Sequence, residues 1–415
     1  MKTGLFATAL AGVALTACTS AGSDTAATGT VNVAQAMENP TELTTSLIGS
    51  KIRFVPLETT DSSLIGEGYK LGVTGDRAII SNFSGKRNVL VFDLNTGKYL
   101  NTVGTLGNGP HDYAQPFYLI DQTSGYLFFP SGYGKGYVVY DTDGNYVTTA
   151  LPQLNYRQAM SLGIADSTLV CAVGKDGGSE SRDVTMISYD YEGEPIDTFK
   201  IFPGQKHGYF PGSYDGYTEY TAFKVPFANS DQPITQIANQ GKKYMVGDIY
   251  PTSCGTEAHF RETLCDTVYR LTPHGIEPAL IFDMGKNSIS ISERNRRPIT
   301  SSDLILTTVT ESPDKAVFGV SKGWVGDDDH TVYIGIYDRA TGKTVMGKAG
   351  EGIRDDLGGF MPFEPIITNT KGDFIAILTP EEIEEWLAEN PDAPRPDWVS
   401  TMKPDDNPIL VIVSK

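Results

Sequence analysis

The sequence predicts an all-β fold of the β-propeller type, and three observations predict it. One hairpin pattern recurs along the middle of the chain. Its turn glycines fall at a spacing that suits four-stranded blades, and helical periodicity is nearly absent.

The hairpin is an apolar strand ending in aromatic-Asp, a short turn with Gly, then a second strand. It appears first as Val89-Leu90-Val91-Phe92-Asp93 with the turn at Gly97. It returns as Val138-Val139-Tyr140-Asp141 with Gly144, and as Ile187-Ser188-Tyr189-Asp190 with Gly193. A degenerate copy is Val268-Tyr269-Arg270-Leu271 with Gly275, and the last clear copy is Gly335-Ile336-Tyr337-Asp338 with Gly342. β-Branched and aromatic residues favour the strands. An Asp side chain bonds backbone two residues on, and Gly tolerates positive φ, so the pair closes the turn. The first three copies recur at roughly 45–50 residues, the length of one blade. The longer gaps between Gly193 and Gly342 predict insertions. Generic hairpins of a β-sandwich are the alternative, but sandwiches rarely reuse one hairpin at this spacing.

Closing the ring needs both ends of the chain. Lys51–Glu58 reads as an early strand and Asn407–Lys415 as a late one, and pairing them in one blade would remove an exposed edge. Between them Pro380–Glu389 is the best helix in the sequence, with acidic residues in its first turn. It reads as a surface cap.

The amino-terminal end carries a different message. Met1-Lys2-Thr3 precedes an apolar run from Gly4 to Leu15, too short to span a bilayer, which takes ~20 residues. A short basic start, such a run and a small-residue site describe a signal peptide. The site, Leu15-Thr16-Ala17-Cys18, resembles the bacterial lipobox. That resemblance implies cleavage after Ala17 and acylation at Cys18, which would hold the protein firmly on a membrane. Thr19 follows the cysteine, so nothing there retains the protein at the inner membrane; the outer membrane is the expected location, on either its periplasmic or its surface face. Residues 1–17 are thus read as a signal peptide, 18–45 as a flexible tether and 46–415 as the propeller, expected to be monomeric.

The chain of 415 residues has 33 basic and 51 acidic side chains, a net charge of −18. That balance excludes a nucleic-acid binder, which needs basic patches, and gives no electrostatic adhesion to anionic lipid. Four cysteines are present. Cys171 lies in an apolar run and reads as core. Cys254 and Cys265 flank a ten-residue stretch, and outside the cytoplasm a disulfide between them is permitted; bridged and free forms are both open at this level. His259 between them matches no zinc signature, so no metal or other cofactor is expected.

Four stretches resemble the six-bladed β-propeller lipoproteins of Bacteroides-like bacteria, whose architecture is NHL-like. Ile52-Arg53-Phe54-Val55-Pro56-Leu57-Glu58-Thr59 resembles that family's opening strand. Val103–Tyr113 resembles its Gly-x-x-Gly-x-Gly-Pro-Gly-Glu-Tyr loop, with His111-Asp112 replacing Gly-Glu. Cys265–Leu271 resembles its Asp-Thr-Ile/Val-Tyr strand. Asp356–Phe363 resembles its Asp-Gly-Gly-x-Pro-Phe segment, with Leu357 in place of Asp and one extra residue before Pro362. The resemblance implies six blades over roughly residues 50–415 and an envelope location. It implies no catalytic residues.

Candidate ligand contacts come from two loops. The aromatic stretch around Tyr209, Tyr214 and Tyr217 offers flat apolar platforms with polar handles. The glycine-rich loop with His111, Asp112 and Tyr113 is not a phosphate cradle, because a strand rather than a helix follows it. The five histidines form no hydrolase motif. His274 and the Asp327-Asp328-Asp329-His330 run read as hairpin turns. The expectation is a non-catalytic envelope lipoprotein that binds a glycan, peptide or protein partner. A glycoside hydrolase or lyase on the same fold, and a structural assembly lipoprotein, are the alternatives, since propellers host all three.

Overall fold

The computed structural model describes residues 29–132, 136–150, 159–174, 184–200, 219–223, 234–239, 242–246, 249–262, 265–289, 298–324 and 327–415. These form a six-bladed β-propeller. Blade I holds Tyr69–Thr74, Arg77–Asn82, Val89–Asp93 and Tyr99–Thr102. Blade II holds Leu119–Ile120, Leu127–Pro130, Tyr137–Tyr140 and Tyr146–Ala150, and blade III holds Ala159–Ala165, Thr168–Gly174, Val184–Tyr189 and Pro195–Lys200. Blade IV is Ile249–Cys254, Glu257–Glu262, Thr267–Thr272 and Gly275–Phe282. Blade V is Leu304–Glu311, Lys315–Lys322, Thr331–Asp338 and Lys343–Lys348. Blade VI combines Ile367–Thr368, Phe374–Leu378 and Ile409–Ser414 with Lys51–Pro56 from the other end of the chain. The first strand of each blade lines the centre, and the innermost strands of blades II to VI and I neighbour one another in that order.

The recurring hairpin joins the third and fourth strands of blades I to V. Asp93 shows how it closes: its Oδ1 accepts from the Thr96 amide at 2.8 Å, and Gly97 takes φ 73°. Asp141, Asp190 and Asp338 repeat this cap, with Gly144, Gly193 and Gly342 at positive φ. In the degenerate copy the Thr272 hydroxyl donates to the Gly275 carbonyl instead, at 3.1 Å. Blades I to IV share a further feature: the register of the third strand against the fourth slips just before the aromatic, at Val91/Phe92, Val139/Tyr140, Ser188/Tyr189 and Val268/Tyr269. Such a bulge sharpens the local twist and re-aims the side chain that follows. Blade VI has no such hairpin because its third strand is the carboxy-terminal one.

The long gap after Gly193 contains a separate three-stranded sheet, Glu219–Phe223, Ile234–Asn239 and Lys242–Val246. The ring closes in blade VI with Lys51 opposite Ser414 and Pro56 opposite Ile409. Helix α1, Val33–Ala36, belongs to the amino-terminal segment. Helix α2, Pro380–Glu389, forms as expected, with a Thr379–Glu382 capping box, and its buried Ile383 packs with Phe360 and Ile409.

The segment assigned to a tether through residue 45 enters the fold at Gly29. Gly29–Val31 adds in parallel to the outer strand of blade IV, and Leu43–Thr44 pairs with Ile353–Arg354. Val31, Val33 and Leu43 are buried in the cores that flank blade V. Val31, Val33 and Leu43 make this a strap, since their side chains fill grooves between blades. No helix among the described residues is long and apolar enough to cross a membrane.

Candidate ligand-binding site between blades IV and V

Two cavities converge on one wall of the propeller. The central channel, about 170 Å³, is lined by the inner strands of all six blades, among them Leu71, Ile164, Thr252, Glu311 and Ile367. At its rim Lys70 sits over the Phe117 ring, 5.3 Å from the centroid. A second cavity, about 380 Å³, opens between blades IV and V. Thr256 and Glu257 line both.

The second cavity is built on an unusual strand. Glu257–Glu262 is the second strand of blade IV, a position where a propeller ordinarily buries apolar residues, yet it reads Glu-Ala-His-Phe-Arg-Glu. Its alternate side chains reach across to blade V. Arg261, fully buried, donates to the carbonyls of Leu306 at 3.0 Å and Thr307 at 2.7 Å. His259 Nδ1 lies 3.0 Å from Glu311 Oε1. Glu311 ends the inner strand of blade V and is fully buried; Arg339 donates to its other oxygen at 2.6 Å. The Glu311 carbonyl takes the Thr368 hydroxyl of blade VI. Three blades therefore meet at one residue, two of them at its carboxylate.

The chain of charges continues outward. His259 Nε2 is 3.4 Å from Glu257 Oε2, and Arg270 bridges Glu257 at 3.0 Å and Glu277 at 2.6 Å. Burial opposes the His259 imidazolium, but Glu311 and Glu257 outweigh it and raise its pKa to about 9. Burial likewise opposes the Glu311 carboxylate, and His259 and Arg339 hold its pKa below the ordinary value. The hydrogen bond from His259 keeps Glu257 ionised. Burial pushes the Cys254 thiol up to about 12, with Glu311 adding to the effect. Its Sγ lies 3.9 Å from Arg339 Nη2.

The residues singled out from the sequence fall elsewhere. Tyr113 is fully buried beneath its loop, stacked on Phe129 at 4.8 Å, so its ring is closed to a ligand. Asp112 serves the loop itself, accepting from the Gly109 amide at 2.8 Å. His111 is exposed and stacks on Tyr146 at 4.0 Å, while its carbonyl takes the Tyr140 hydroxyl. The glycines of this loop are steric: a Cβ on Gly107 would lie 2.2 Å from Asp112 Oδ2. Tyr209, Tyr214, Tyr217 and Cys18 lie outside the described residues. Of the two forms left open for Cys254 and Cys265, the structure has the free one. Cys254 pairs with Glu257 at one end of the Glu257–Glu262 strand, and Cys265 follows its other end. At ~3.3 Å per residue that strand holds them well beyond the ~7 Å Cα limit for a bridge, and both are free buried thiols. Among the described residues no cluster of His, Cys, Asp or Glu is arranged to hold a metal ion.

Sequence reasoning passed over Glu257, Arg270, Glu311 and Arg339, and weighed His259 only as a zinc ligand. The signal was present in one place, the charged strand Glu257–Glu262 with its alternating polar residues.

The Asp356–Phe363 segment is also structural. Asp355 accepts from the amides of Leu357, Gly358 and Phe360, and Asp356 clamps Thr45 and Ser46 of the strap.

Fold and site together define a six-bladed propeller with a charge-lined pocket at one blade junction. The chain belongs to the family described as domain of unknown function DUF4934, whose model matches residues 28–414. Among solved structures it is similar to a protein of Bacteroides fragilis NCTC 9343 described as exported, with 18% identity and a TM-score of 0.58, over 91% of this chain and 98% of that one. A member of the DUF4221 family from Bacteroides vulgatus aligns over 89% of this chain and 97% of its own, at 9% identity and a TM-score of 0.45. No curated protein matches the chain.

Proposed function

We propose that this protein is a cell-envelope lipoprotein, anchored through Cys18, whose non-catalytic propeller binds a ligand in the cavity between blades IV and V. The lipobox-like Leu15–Cys18 supports the anchor, with the outer membrane as the location. An NHL-like kinship remains part of this reading. The observation that carries the binding role is the pairing of the pocket charges. Its histidine is locked as a cation between Glu257 and Glu311, and its thiol is pushed up to about 12. A general base needs a pKa near the working pH, and a nucleophile needs a lowered one. A glycosidase acid needs a carboxyl held protonated, whereas Glu257 is kept ionised. The site is thus suited to holding a ligand rather than transforming it.

Incubating the protein with envelope and host glycans and peptides, followed by product analysis of each hit, tests this. Saturable binding with the ligand recovered intact is expected; recovery of cleaved ligand overturns the non-catalytic reading. The anchor is tested separately: Cys18→Ser abolishes labelling by radioactive palmitate, and persistent labelling removes the lipoprotein assignment.

A further inference from the structure

The cavity between blades IV and V has a chemistry narrow enough to name a ligand class. We propose that it receives the pyranose ring of an uncharged sugar, an inference that rests on the binding role just described.

The charges around the cavity balance. Arg270 sits between Glu257 and Glu277, Arg339 lies on Glu311, and His259 bridges Glu257 and Glu311. An ionic ligand of either sign meets no surplus of the opposite charge and displaces a partner in order to bind. A hydroxyl group does not, because it donates and accepts at once. Glu277 is half exposed and Glu257 about a third exposed, so their carboxylates present lone pairs to the cavity. Each carboxylate has about four lone-pair sites, and one or two partners leave the rest for ligand hydroxyls. Hydrogen bonds to charged groups are the strong ones, and adjacent hydroxyls on a ring offer them in pairs.

Beside the hydroxyls of Thr256 and Thr370, part of the lining is apolar and stiff. Pro278, Ala279 and Pro313 contribute to it, and Pro278 and Pro313 are exposed. A sugar ring needs this combination, since its hydroxyls lie at the edge and its C–H bonds form an apolar face. Gly255 keeps the mouth open: a Cβ there would already touch Pro313, 3.4 Å away, and its φ of +61° disfavours a side chain. The volume, about 380 Å³, is at the small end of ligand clefts and suits a single ring. A peptide would bring its own charges to a surplus of the opposite sign, and the paired side chains of this cavity offer no such surplus.

The test uses the full-length chain in detergent. Methyl glycosides of glucose, galactose and mannose are titrated by calorimetry and saturation-transfer NMR, alongside galacturonate and tri-alanine. At least one neutral methyl glycoside is expected to bind saturably. Glu277→Gln, which spares the buried Glu311 cluster, is expected to weaken that binding about tenfold, the value of one charge-assisted hydrogen bond, with the melting temperature unchanged. Absence of binding by every methyl glycoside, or affinity indifferent to Glu277→Gln, overturns the sugar assignment. If galacturonate or tri-alanine binds instead and Glu277→Gln weakens it, the sugar class falls while the cavity stands as a binding site. If no probe binds in a Glu277-dependent way, the sugar class falls and the cavity loses its support as the site.

Discussion

The junction between blades I and II and the junction between blades IV and V do the same mechanical job with opposite chemistry. Blades I and II meet through Ile79, Val89, Val91, Phe129 and Val138, all fully buried, with Tyr113 stacked among them. Blades IV and V meet through Arg261, His259, Glu311 and Arg339 as well as apolar side chains. An apolar junction gains from every area removed from water. A buried ionic junction recovers mainly its own desolvation cost, so its net contribution to stability is small. The difference teaches that charge at the second junction serves something other than cohesion. It fixes Glu257 and Arg270 at a cavity wall, where apolar residues would leave nothing for a polar ligand.

Substitutions sharpen this contrast. The largest effect is expected from Glu311→Ala, which leaves the buried His259 and the partly buried Arg339 without their shared partner and costs about 3–5 kcal/mol in urea unfolding. Phe129→Ala at the other junction costs a similar ~3–5 kcal/mol through the cavity it leaves. The two then part company. Replacing His259, Glu311 and Arg339 together by Leu, Leu and Met is expected to return stability to within about 2 kcal/mol of wild type. A triple variant as unstable as Glu311→Ala would show that the ionic junction is cohesive after all.

The next effect is on pH dependence. His259 has a folded pKa raised to about 9 from 6.5, so its contribution is complete below about 6.5 and is lost as pH rises through about 9. Glu311 has a lowered pKa, so its contribution is present above the ordinary carboxylate value and is lost as pH falls through the depressed one. Urea midpoints should therefore be flat between these limits and decline towards pH 9, and His259→Gln should remove the alkaline decline. An unchanged decline in that variant places the titration elsewhere. Phe129→Ala should shift the whole profile without changing its shape.

Smaller still is Tyr140→Phe, which removes the bond to the His111 carbonyl at the apolar junction. It should cost about 1 kcal/mol at every pH from 5 to 9. The smallest expected effect is none: the mass of the native protein after mild oxidation shows no intramolecular bridge between Cys254 and Cys265, and both thiols alkylate only in denaturant.

The fold was legible because its signature is local. An aromatic-Asp and a glycine a few residues on close a hairpin by themselves, and four such hairpins with one degenerate copy mark blades I to V in order. The sixth blade was readable from the complementary strands at Lys51–Pro56 and Ile409–Ser414. The site was not legible, because its contacts are long-range. His259 and Glu311 are 52 residues apart and Glu311 and Arg339 are 28 apart, and nothing in a single sequence pairs them among 51 acidic side chains. In the loop at His111–Tyr113 the ring of Tyr113 was placed on the wrong side for a related reason. Its glycines and aromatic look like a binding loop, but Tyr113 turns inward because the blade I–II junction has room for its ring. The strap was read as linker beyond its polar part because three or four buried residues do not raise a periodic signal.

The closing blade sets a clock. The Asn407 amide that leads into the final strand donates to the Thr59 hydroxyl, 348 residues away. At a synthesis rate of about 5–20 residues per second, roughly 20–70 s separate the emergence of these partners. Throughout that time Lys51–Pro56 is a strand without its mate. An unpaired edge of that kind recruits other chains unless charge deters them, and Lys51 and Arg53 supply that charge within the strand itself, guarding the ring until its last member arrives.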